Sequence, residues 1–547
     1  MYKGRNGQTS ILESPVFFEG VKLDPENQWL KLAALTPWDE IEAQYAQYFA
    51  GSVTGNPAKS SRMAVGTLII KERYGFSDED VVEEIRMNPY LQYYIGMPAF
   101  THEAPFDAST ITRFRKRVTP QMLREINDIV IERAQTPKDP EASPDDPPDN
   151  TPPTDGQTPS TRTNPRSESE PANEGTMILD ATCAPQNIRY PTDMSLLNEG
   201  REKLEAMIDG THTAGFTQEK KPRMYRKRAR WDYLRYARNR KPGLKLLRKS
   251  LRKQLGYIAR DLGYLDQILK QHPNALSSKQ QNVLSVIRTL YRQQLEMYEG
   301  HTHTIKDRIV SISQPHVRPI VRGKARADTE FGAKVEASLV NGYARIEKLS
   351  WDAFNEGSTL QESVERYKAD TGLYPRRILA DKIFRTRENL DYCKKHQIRL
   401  SGPKLGRPPK DEALAREQRQ IEREESGERS AIEGWFGIGK RRYTLGCIMT
   451  RLQHTSEVSI HVIVLTMNLF RKLRLSISLF FRRLWSELYP VSMPFFTFVA
   501  YAFIFVSSVG RLVQETLNCP CSQWRYHCNL HCSNPSHAEC SLACKRN

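Results

Sequence analysis

The segment TMILDATCAP, residues 176–185, is a short apolar run that carries a single carboxylate, Asp180. The run predicts a β-strand over 176–181. An aspartate at the end of such a strand has two interpretations. It is either a turn or cap residue, because Asp favours both, or a ligand for a cation. The second interpretation requires further carboxylates elsewhere in the chain.

The charge balance points to a polyanionic partner. The 547 residues suffice for roughly two to four domains, and 81 Lys and Arg against 64 Asp and Glu give a net charge of +17. The excess is local, since residues 220–260 hold 17 basic residues and one acidic residue, Asp232. Such a basic segment predicts contact with nucleic acid.

Two features predict a cytoplasmic protein. The N-terminal stretch MYKGRNGQTSILES has no apolar core, so no secretory signal is expected there. Three scattered cysteines, Cys183, Cys393 and Cys447, are typical of a reduced compartment.

Residues 15–135 are predicted to form an all-α DNA-binding domain. Helical spacing recurs through this region, and Ser77 with Asp80 resembles a capping box. The last short helix, in DASTITRFRKRV, resembles the DNA-contacting helix of a helix-turn-helix module. Its cations are Arg113, Arg115, Lys116 and Arg117. The alternative is an ordinary helical bundle with a solvated basic face. A linker follows at 136–175, with ten prolines and little to bury, and is predicted to be disordered.

After the first strand, the chain is predicted to be helical to about residue 300. Leu and Tyr recur at helical spacing, while the other faces are strongly basic, which indicates a basic helical hairpin. Its cations are suited to DNA phosphates; those singled out are Arg226, Lys227, Arg228 and Arg230. The alternative is a solvated, charged helix pair.

Residues 308–402 predict an α/β architecture, a mixed sheet with flanking helices. Strands are expected in RIVSIS, EFGAKVEASLV and GYARIEKLSW, followed by helix, strand, helix and strand. Asp381 ends the strand ILAD much as Asp180 ends MILD. If the two strands are neighbours, both carboxylates reach one rim, where like charges are unfavourable without a cation. The pattern therefore favours a Mg²⁺ site.

A third carboxylate, Glu433, lies in ERSAIEGWFGIGKRRYTLG, residues 428–446. This segment resembles the glutamate helix of bacterial insertion-sequence DDE transposases, several of which carry Tyr-x2-Arg-x3-Glu-x6-Lys. Arg429, Glu433 and Lys440 match that spacing, whereas Ser426 stands at the tyrosine position. The segments LDATCAPQNIRYPTD and LADKIFRTREN resemble the family's first- and second-aspartate segments, and the N-terminal helices resemble its DNA-binding domain.

The resemblance implies an RNase H-like catalytic domain over 176–473, with a helical insertion at about 196–300. It implies that Asp180, Asp381 and Glu433 are catalytic and bind two Mg²⁺ (or Mn²⁺) ions, roughly 4 Å apart. Arg429 and Lys440 would contact phosphates or the element end. Water would first free a 3′-hydroxyl, which would then attack target DNA, with the protein acting as a homo-oligomer on DNA. The competing acids are interpreted as turn or solvated-helix residues: Asp193, Glu424, Glu425 and Glu428.

Two further segments carry open alternatives. The loop GPKLGRPPK, residues 402–410, has a Gly-Arg-Pro core whose Arg407 suits a minor groove, or it is a plain proline turn. Residues 474–547 form a tail of uncertain structure, and 488–510 carry no charge. That length can span a bilayer, although a packed or poorly structured C-terminal helix is favoured. Six cysteines at 519–544 lack the common C-x2-C pairs, so Zn²⁺ is not favoured, and a degenerate extension is the remaining alternative.

The functional prediction is a transposase that binds the ends of its element and carries out metal-dependent DNA cleavage and strand transfer. A metal-dependent nuclease of the same fold is one alternative. A DNA-binding relative without catalysis is another, against which the presence of all three acids argues.

Overall fold

The computed structural model describes residues 17–18, 21–47, 58–135, 173–216, 221–324, 327–402 and 412–488. Most of the predicted linker, the loop with Arg407, and residues 489–547 with their predicted zinc and membrane alternatives lie outside these residues. Of the helices within the described ranges, none has the length and apolar character needed to cross a membrane.

The N-terminal region is helical, as predicted, after a short hairpin of β1 (Phe17–Phe18) and β2 (Val21–Lys22). Pro37 separates the first two helices, and the capping box of Ser77 with Asp80 is confirmed. The helices are α1 (Gln28–Leu35), α2 (Trp38–Ala46), α3 (Ser61–Tyr74), α4 (Asp78–Met87), α5 (Pro89–Tyr94), α6 (Ser109–Arg117) and α7 (Pro120–Gln135).

A mixed α/β sheet follows, and the predicted fold class is confirmed at this level. Its strands are β3 (Thr176–Pro185), β4 (Arg318–Lys324), β5 (Ala327–Val340), β6 (Tyr343–Ser350), β7 (Arg377–Leu379) and β8 (Arg399–Leu400). The order is β4-β5-β3-β7-β8, and β6 also pairs with β5. β5 is antiparallel to β3, β4 and β6, whereas β7 is parallel to β3 and β8 is parallel to β7.

The strand predicted in RIVSIS is wrong. Residues 308–313 have no strand structure, and the strand that pairs with β5 begins at Arg318. The apolar residues of RIVSIS are nevertheless buried: Ile309 and Ile312 pack into the core of the helical insertion, and the Ile309 amide donates to the Gln293 side chain at 3.0 Å. Val310 between them packs in the core of the sheet, so the apolar pattern here reflects burial in two cores and not a strand.

The helical insertion comprises α8 (Asp193–Thr213), α9 (Arg226–Ala237), α10 (Leu244–Gln271) and α11 (Ser278–Glu299). Leu and Ile residues of α8, α10 and α11 form one apolar core. The predicted basic helical hairpin is corrected to four helices in the described part of the insertion, and the chain breaks within its basic segment, between Ala237 and Leu244. Pro242 and Gly243 lie in this break, where proline disfavours continuation of a helix.

Helices cover both faces of the sheet: α12 (Leu360–Thr371), α13 (Arg387–Lys395), α14 (Glu412–Arg442) and α15 (Gln453–Leu488). Successive side chains of a strand point to opposite faces. In β3, Met177 and Leu179 pack with residues of α12 and α13, whereas Ile178 packs with a core that includes Ile432 of α14. The alternation therefore assigns Asp180 to the same face as Ile178, the face that α14 covers.

Candidate active site

The parallel register of β3 and β7 relates the two predicted aspartates. Thr176 is paired with Arg377, and Ile178 with Leu379. Continuing this register by two residues makes Asp180 level with Asp381. Asp180 is within β3, but Asp381 lies beyond the end of β7, where it caps a short 3₁₀ turn over Lys382–Phe384. The prediction that Asp381 ends a strand is thus corrected by two residues.

The same hydrogen bond orients both aspartates. One oxygen of the Asp180 carboxylate accepts from the Ala181 amide at 2.8 Å, and one oxygen of Asp381 accepts from the Lys382 amide at 2.7 Å. Each side chain is therefore tied to the backbone of the next residue.

Glu433 lies on α14, which packs against both β3 and β7. The preceding residue, Ile432, is fully buried in the core between α14 and the sheet. Glu433 therefore lies next to the point where α14 contacts the sheet. Glu433 is 56% exposed and forms an ion pair with Arg429 at 3.1 Å.

Two ion pairs fix α14 against the parallel strands. Arg377 of β7 donates both guanidinium nitrogens to the Glu428 carboxylate, at 3.0 and 2.6 Å. Arg399 of β8 pairs with Glu425 at 2.7 Å. We call these two pairs the α14 clamp. Glu428 and Glu425, which compete with Glu433 in the sequence, are therefore engaged in holding the helix. The interpretation of Glu425 as a solvated-helix residue is corrected, because this residue is buried.

The other competing acids also have local partners. Asp193 is in the first turn of α8, pairs with Arg308 at 2.5 Å and accepts from Gln294 at 2.8 Å. Glu424 is exposed on α14 and accepts from Gln420 at 3.1 Å.

The electrostatics of Asp180 connect it to α14. Burial raises the pKa of Asp180 to about 6, because removal from water disfavours the charged form. Arg429 lowers this pKa, while the negative charges of Glu356 and Glu433 raise it. Asp180 and Glu433 are thus close enough to interact, with Arg429 near both.

Glu356 is a further carboxylate near Asp180, and the sequence alone did not indicate it. It begins a 3₁₀ turn, Glu356–Ser358, between β6 and α12, and it pairs with Lys334 at 2.8 Å. The next residue, Gly357, lies against the turn after Asp381, since a β-carbon there would be 2.6 Å from the Ile383 carbonyl oxygen. No spacing in the sequence links Glu356 to the other acids, because the link is made by two turns that meet in space.

The donor chemistry suits Mg²⁺ or Mn²⁺, which prefer carboxylate oxygens. However, across the described ranges no group of three or more His, Cys, Asp or Glu side chains is close enough to hold a metal ion. The predicted three-carboxylate cluster is therefore not formed in this arrangement, where Glu433 is turned to Arg429 instead.

The predicted DNA contacts of the N-terminal region divide into two groups. Arg113 and Lys116 are exposed on α6. Arg115 is 7% exposed and forms a two-point ion pair with Asp78, at 2.9 and 2.5 Å. Arg117 is half-buried. The prediction that Arg115 lies on a DNA-facing surface is corrected, because this residue joins α6 to α4.

The insertion shows the same division. Lys227, Arg228 and Arg230 of α9 are exposed. Arg226 is partly buried, pairs with Asp209 of α8 at 2.5 Å and donates to the Glu205 carbonyl oxygen at 3.1 Å. Lys440, near the end of α14, lies 3.9 Å from Glu330.

Two family models match the chain, and both describe transposase domains. The first, "Transposase DDE domain", matches residues 378–470, which include Asp381 and Glu433; the second, "Transposase domain (DUF772)", matches residues 19–117. These matches confirm the resemblance to insertion-sequence DDE transposases. The DDE domain implies an enzyme family that cleaves nucleic acid and generally uses divalent metal ions, with DNA as the partner.

A curated relative is "Uncharacterized protein ORF8 in nfe locus" of Rhizobium meliloti. It is 38% identical over 112 residues, which cover 20% of this chain and 53% of the relative. The chain therefore spans about half the length of this relative. No solved structure matches the chain.

Proposed function

We propose that the protein binds the ends of its mobile element as a homo-oligomer and carries out metal-dependent DNA cleavage and strand transfer. In this proposal Asp180, Asp381 and Glu433 hold Mg²⁺ or Mn²⁺ in an RNase H-like core. The observation that carries it is the β3–β7 register, together with the packing of α14 against both strands.

The topology supports the RNase H-like assignment. β3, β5 and β6 are adjacent antiparallel strands, and β7 and β8 extend the sheet in parallel on the other side of β3. The chain thus supplies one aspartate from the first strand, a second after the next parallel strand, and a glutamate from a later helix.

Groups of the protein itself orient the carboxylates at the edge of the sheet where Asp180 and Asp381 are level. Bound divalent ions would supply an activated water and stabilise charge on the phosphate oxygens. The amide of Ala181 holds the Asp180 carboxylate, and the amide of Lys382 holds that of Asp381. Arg429 balances the charge of Glu433 and is suited to a phosphate once Glu433 takes another cation. No Ser or Tyr nucleophile is required.

The proposed DNA surface consists of cations on several elements. The exposed cationic side chains of α6 and α9 would attract the phosphate backbone of DNA through their charge. Arg429 and Lys440 lie on α14, the helix that carries Glu433. The proposed contacts are Arg113, Lys116, Lys227, Arg228, Arg230, Arg407, Arg429 and Lys440.

The test uses DNA that carries the element ends, taken from the sequence flanking the gene. Asp180→Asn, Asp381→Asn and Glu433→Gln should each reduce Mg²⁺-dependent cleavage by at least roughly 100-fold while leaving DNA binding intact. Glu424→Gln is the matched control, because Glu424 is exposed on the same helix as Glu433. It should cleave normally.

Near-normal cleavage by any one of the three variants would remove that residue from the site. A separate assay measures joining of the cleaved 3′ end to target DNA. Cleavage without joining would favour the nuclease alternative, and binding without either reaction would favour the non-catalytic one.

A further inference from the structure

The helix α9 is attached to the rest of the insertion mainly through polar contacts. Ala229 and Asp232 are its buried residues, and none of its side chains belongs to the apolar core of the insertion. The neighbouring helix α10, by contrast, buries five leucine and isoleucine side chains. The Ala229 carbonyl oxygen accepts a hydrogen bond from the Gln254 side chain at 3.2 Å. Apolar burial, the main favourable contribution to folding, therefore contributes less to the position of α9 than to that of its neighbours.

Charged side chains anchor α9 at two points. Asp232 pairs with Lys253 of α10 at 2.6 Å and accepts from the Tyr257 hydroxyl at 2.8 Å. Arg226, at the start of the helix, pairs with Asp209 of α8 at 2.5 Å. The Lys253 and Arg226 side chains are 35% and 39% exposed. Dissolved ions can therefore reach both pairs and screen them.

The layer between α9 and its neighbours holds polar atoms that have no hydrogen-bond partner in the described part of the chain. These atoms are Arg201 Nε, Arg226 Nε, Gln254 Oε1, Arg260 Nη1 and both carboxylate oxygens of Asp261. Asp261 is fully buried and is close enough to Arg201, Arg226 and Arg260 for electrostatic interaction. A buried polar atom without a partner costs free energy, and water removes this cost when the atom is exposed. Hydration of these atoms therefore offsets part of the contacts that are lost when α9 leaves its place.

Irregular backbone on both sides separates α9 from the neighbouring helices. Tyr225, immediately before it, has a φ of 52°, a left-handed conformation that is unfavourable for a residue with a β-carbon. Pro242 and Gly243 lie between the end of α9 at Ala237 and the start of α10 at Leu244. The helix can thus leave its place without breaking the helical hydrogen bonds of α8 or α10, and its release relieves the strain at Tyr225.

We propose that α9 is a strap that undocks from α8 and α10 as one unit, and that the ionic strength controls the release by screening its charged anchors. A helix of 12 residues is only marginally stable alone in water, so the released segment unwinds. Release frees Arg226 and Lys253 from their carboxylates and adds their charges to those that the insertion already exposes. The proposal goes beyond the proposed function and does not depend on it, because it concerns the insertion and not the carboxylate site.

Amide hydrogen exchange of the full-length protein, followed by mass spectrometry, tests the proposal. At an ionic strength of about 0.05 M, the central amides of α9 should be protected no better than those near its ends, and less than the amides of α8 and α10. At about 0.5 M, exchange throughout α9 should be about threefold faster, while exchange in α10 stays unchanged. Low concentrations of urea should barely change the exchange of α9, because a local opening exposes little surface.

Asp232→Asn removes one charged anchor and keeps the shape of the side chain. It should speed exchange throughout α9 by roughly tenfold and weaken the effect of salt, because the pair with Lys253 is lost. Asp266→Asn is the matched control, because Asp266 is on α10 but is about half exposed and pairs with Arg288 of α11 instead. It should leave the exchange of α9 as it is in the unchanged protein.

Protection of α9 equal to that of α10 would overturn the proposal. So would protection that falls gradually toward one end of α9, which indicates fraying and not release as a unit. Exchange that responds neither to salt nor to Asp232→Asn would overturn it as well. The salt comparison uses the unchanged protein, so the proposal stays testable if Asp232→Asn unfolds the whole insertion.

Discussion

Some carboxyl groups of this protein are buried without full hydrogen bonding, and Asp261 of α10 is the clearest case. Its side chain is fully buried, and neither carboxylate oxygen has a hydrogen-bond partner within the described part of the chain. Burial is the main cause that raises its pKa, to about 7, and the nearby Glu205 adds to the rise. The unfolded chain, by contrast, exposes an aspartate of ordinary pKa, 3.8.

This difference predicts the pH dependence of stability. The folded protein keeps a proton on Asp261 that the unfolded chain releases, so the free energy of unfolding falls as pH rises from about 4 to about 7. Asp261→Asn should remove this contribution, worth up to about 4 kcal/mol. Urea unfolding at pH 5 and pH 8 measures this effect. The free energy of unfolding of the variant, relative to that of the unchanged protein, should be higher at pH 8 than at pH 5.

Asp266→Asn provides the comparison for this experiment. Asp266 is on the same helix but is about half exposed and paired with Arg288, so its replacement should leave the pH dependence as it is. If Asp261→Asn and the unchanged protein differ by the same amount at both pH values, Asp261 is not the group responsible.

At the scale of elements, the position of α14 decides whether Glu433 can meet the two aspartates. Burial of Ile432 and Phe436 in the core packs α14 against one face of the sheet. The helix is held along its length by the α14 clamp to β7 and β8. The Arg377–Glu428 pair is partly exposed, so we expect it to contribute more to alignment than to stability.

Breaking the clamp should therefore slow cleavage without unfolding the protein. Arg377→Met removes the two-point bond to Glu428, and we expect cleavage to slow by roughly 10- to 100-fold, because small misplacements of a catalytic group are costly. The thermal midpoint should change little. Cleavage rates at saturating DNA, with thermal unfolding in parallel, provide the measurement.

Two further variants sharpen this prediction. Arg416→Met removes an exposed pair with Glu412 in the same helix, at 3.0 Å, and should have no effect. The exchanged pair, Arg377→Glu with Glu428→Arg, should recover part of the rate. Unchanged cleavage in Arg377→Met would show that burial alone aligns α14.

At the scale of the whole molecule, the N-terminal helices and the sheet domain are packed together. Asn127 of α7 and Asn468 of α15 both donate to the Ala344 carbonyl oxygen of β6, at 3.1 and 2.8 Å. Trp29 of α1 packs edge-on against Phe470, and Glu72 of α3 accepts from Thr444, just after α14. The two regions matched by transposase family models therefore share an apolar and polar interface.

The net positive charge of the molecule should act through its exposed cations alone. Log affinity for DNA falls linearly as log salt rises. Replacing Lys227, Arg228 and Arg230 together by Ala should make this fall shallower by about 0.9 slope units for each lost phosphate contact. Salt titrations of DNA binding, followed by fluorescence anisotropy, measure this slope.

Arg226→Ala is the comparison, because it removes one positive charge from the same helix and its effect can be compared per charge removed. Arg226 is paired with Asp209, so this variant should leave the slope nearly unchanged and instead loosen α9 from α8. An equal change of slope per positive charge removed in the two variants would mean that charge, and not exposure, governs DNA binding.

Local patterns were sufficient for much of this protein. Helical spacing and the Ser77 capping box predicted helices of the N-terminal region, and the succession of elements after residue 330 predicted a mixed α/β sheet. The spacing of Arg429 and Glu433 and the setting of Asp180 and Asp381 were enough to suggest the family, which the comparisons support. These features depend on neighbours within a few residues, and such neighbours are visible in the sequence.

Other features were decided only by tertiary structure, because they depend on contacts between distant residues. RIVSIS alternates like a strand but is buried in two cores, and Arg115 belongs to a cationic run but pairs with Asp78. Glu356 reaches the neighbourhood of Asp180 through the meeting of two turns, and the level positions of Asp180 and Asp381 follow from strand pairing across 201 residues. A residue pattern specifies periodicity and charge, whereas burial and pairing are fixed only when the chain has folded.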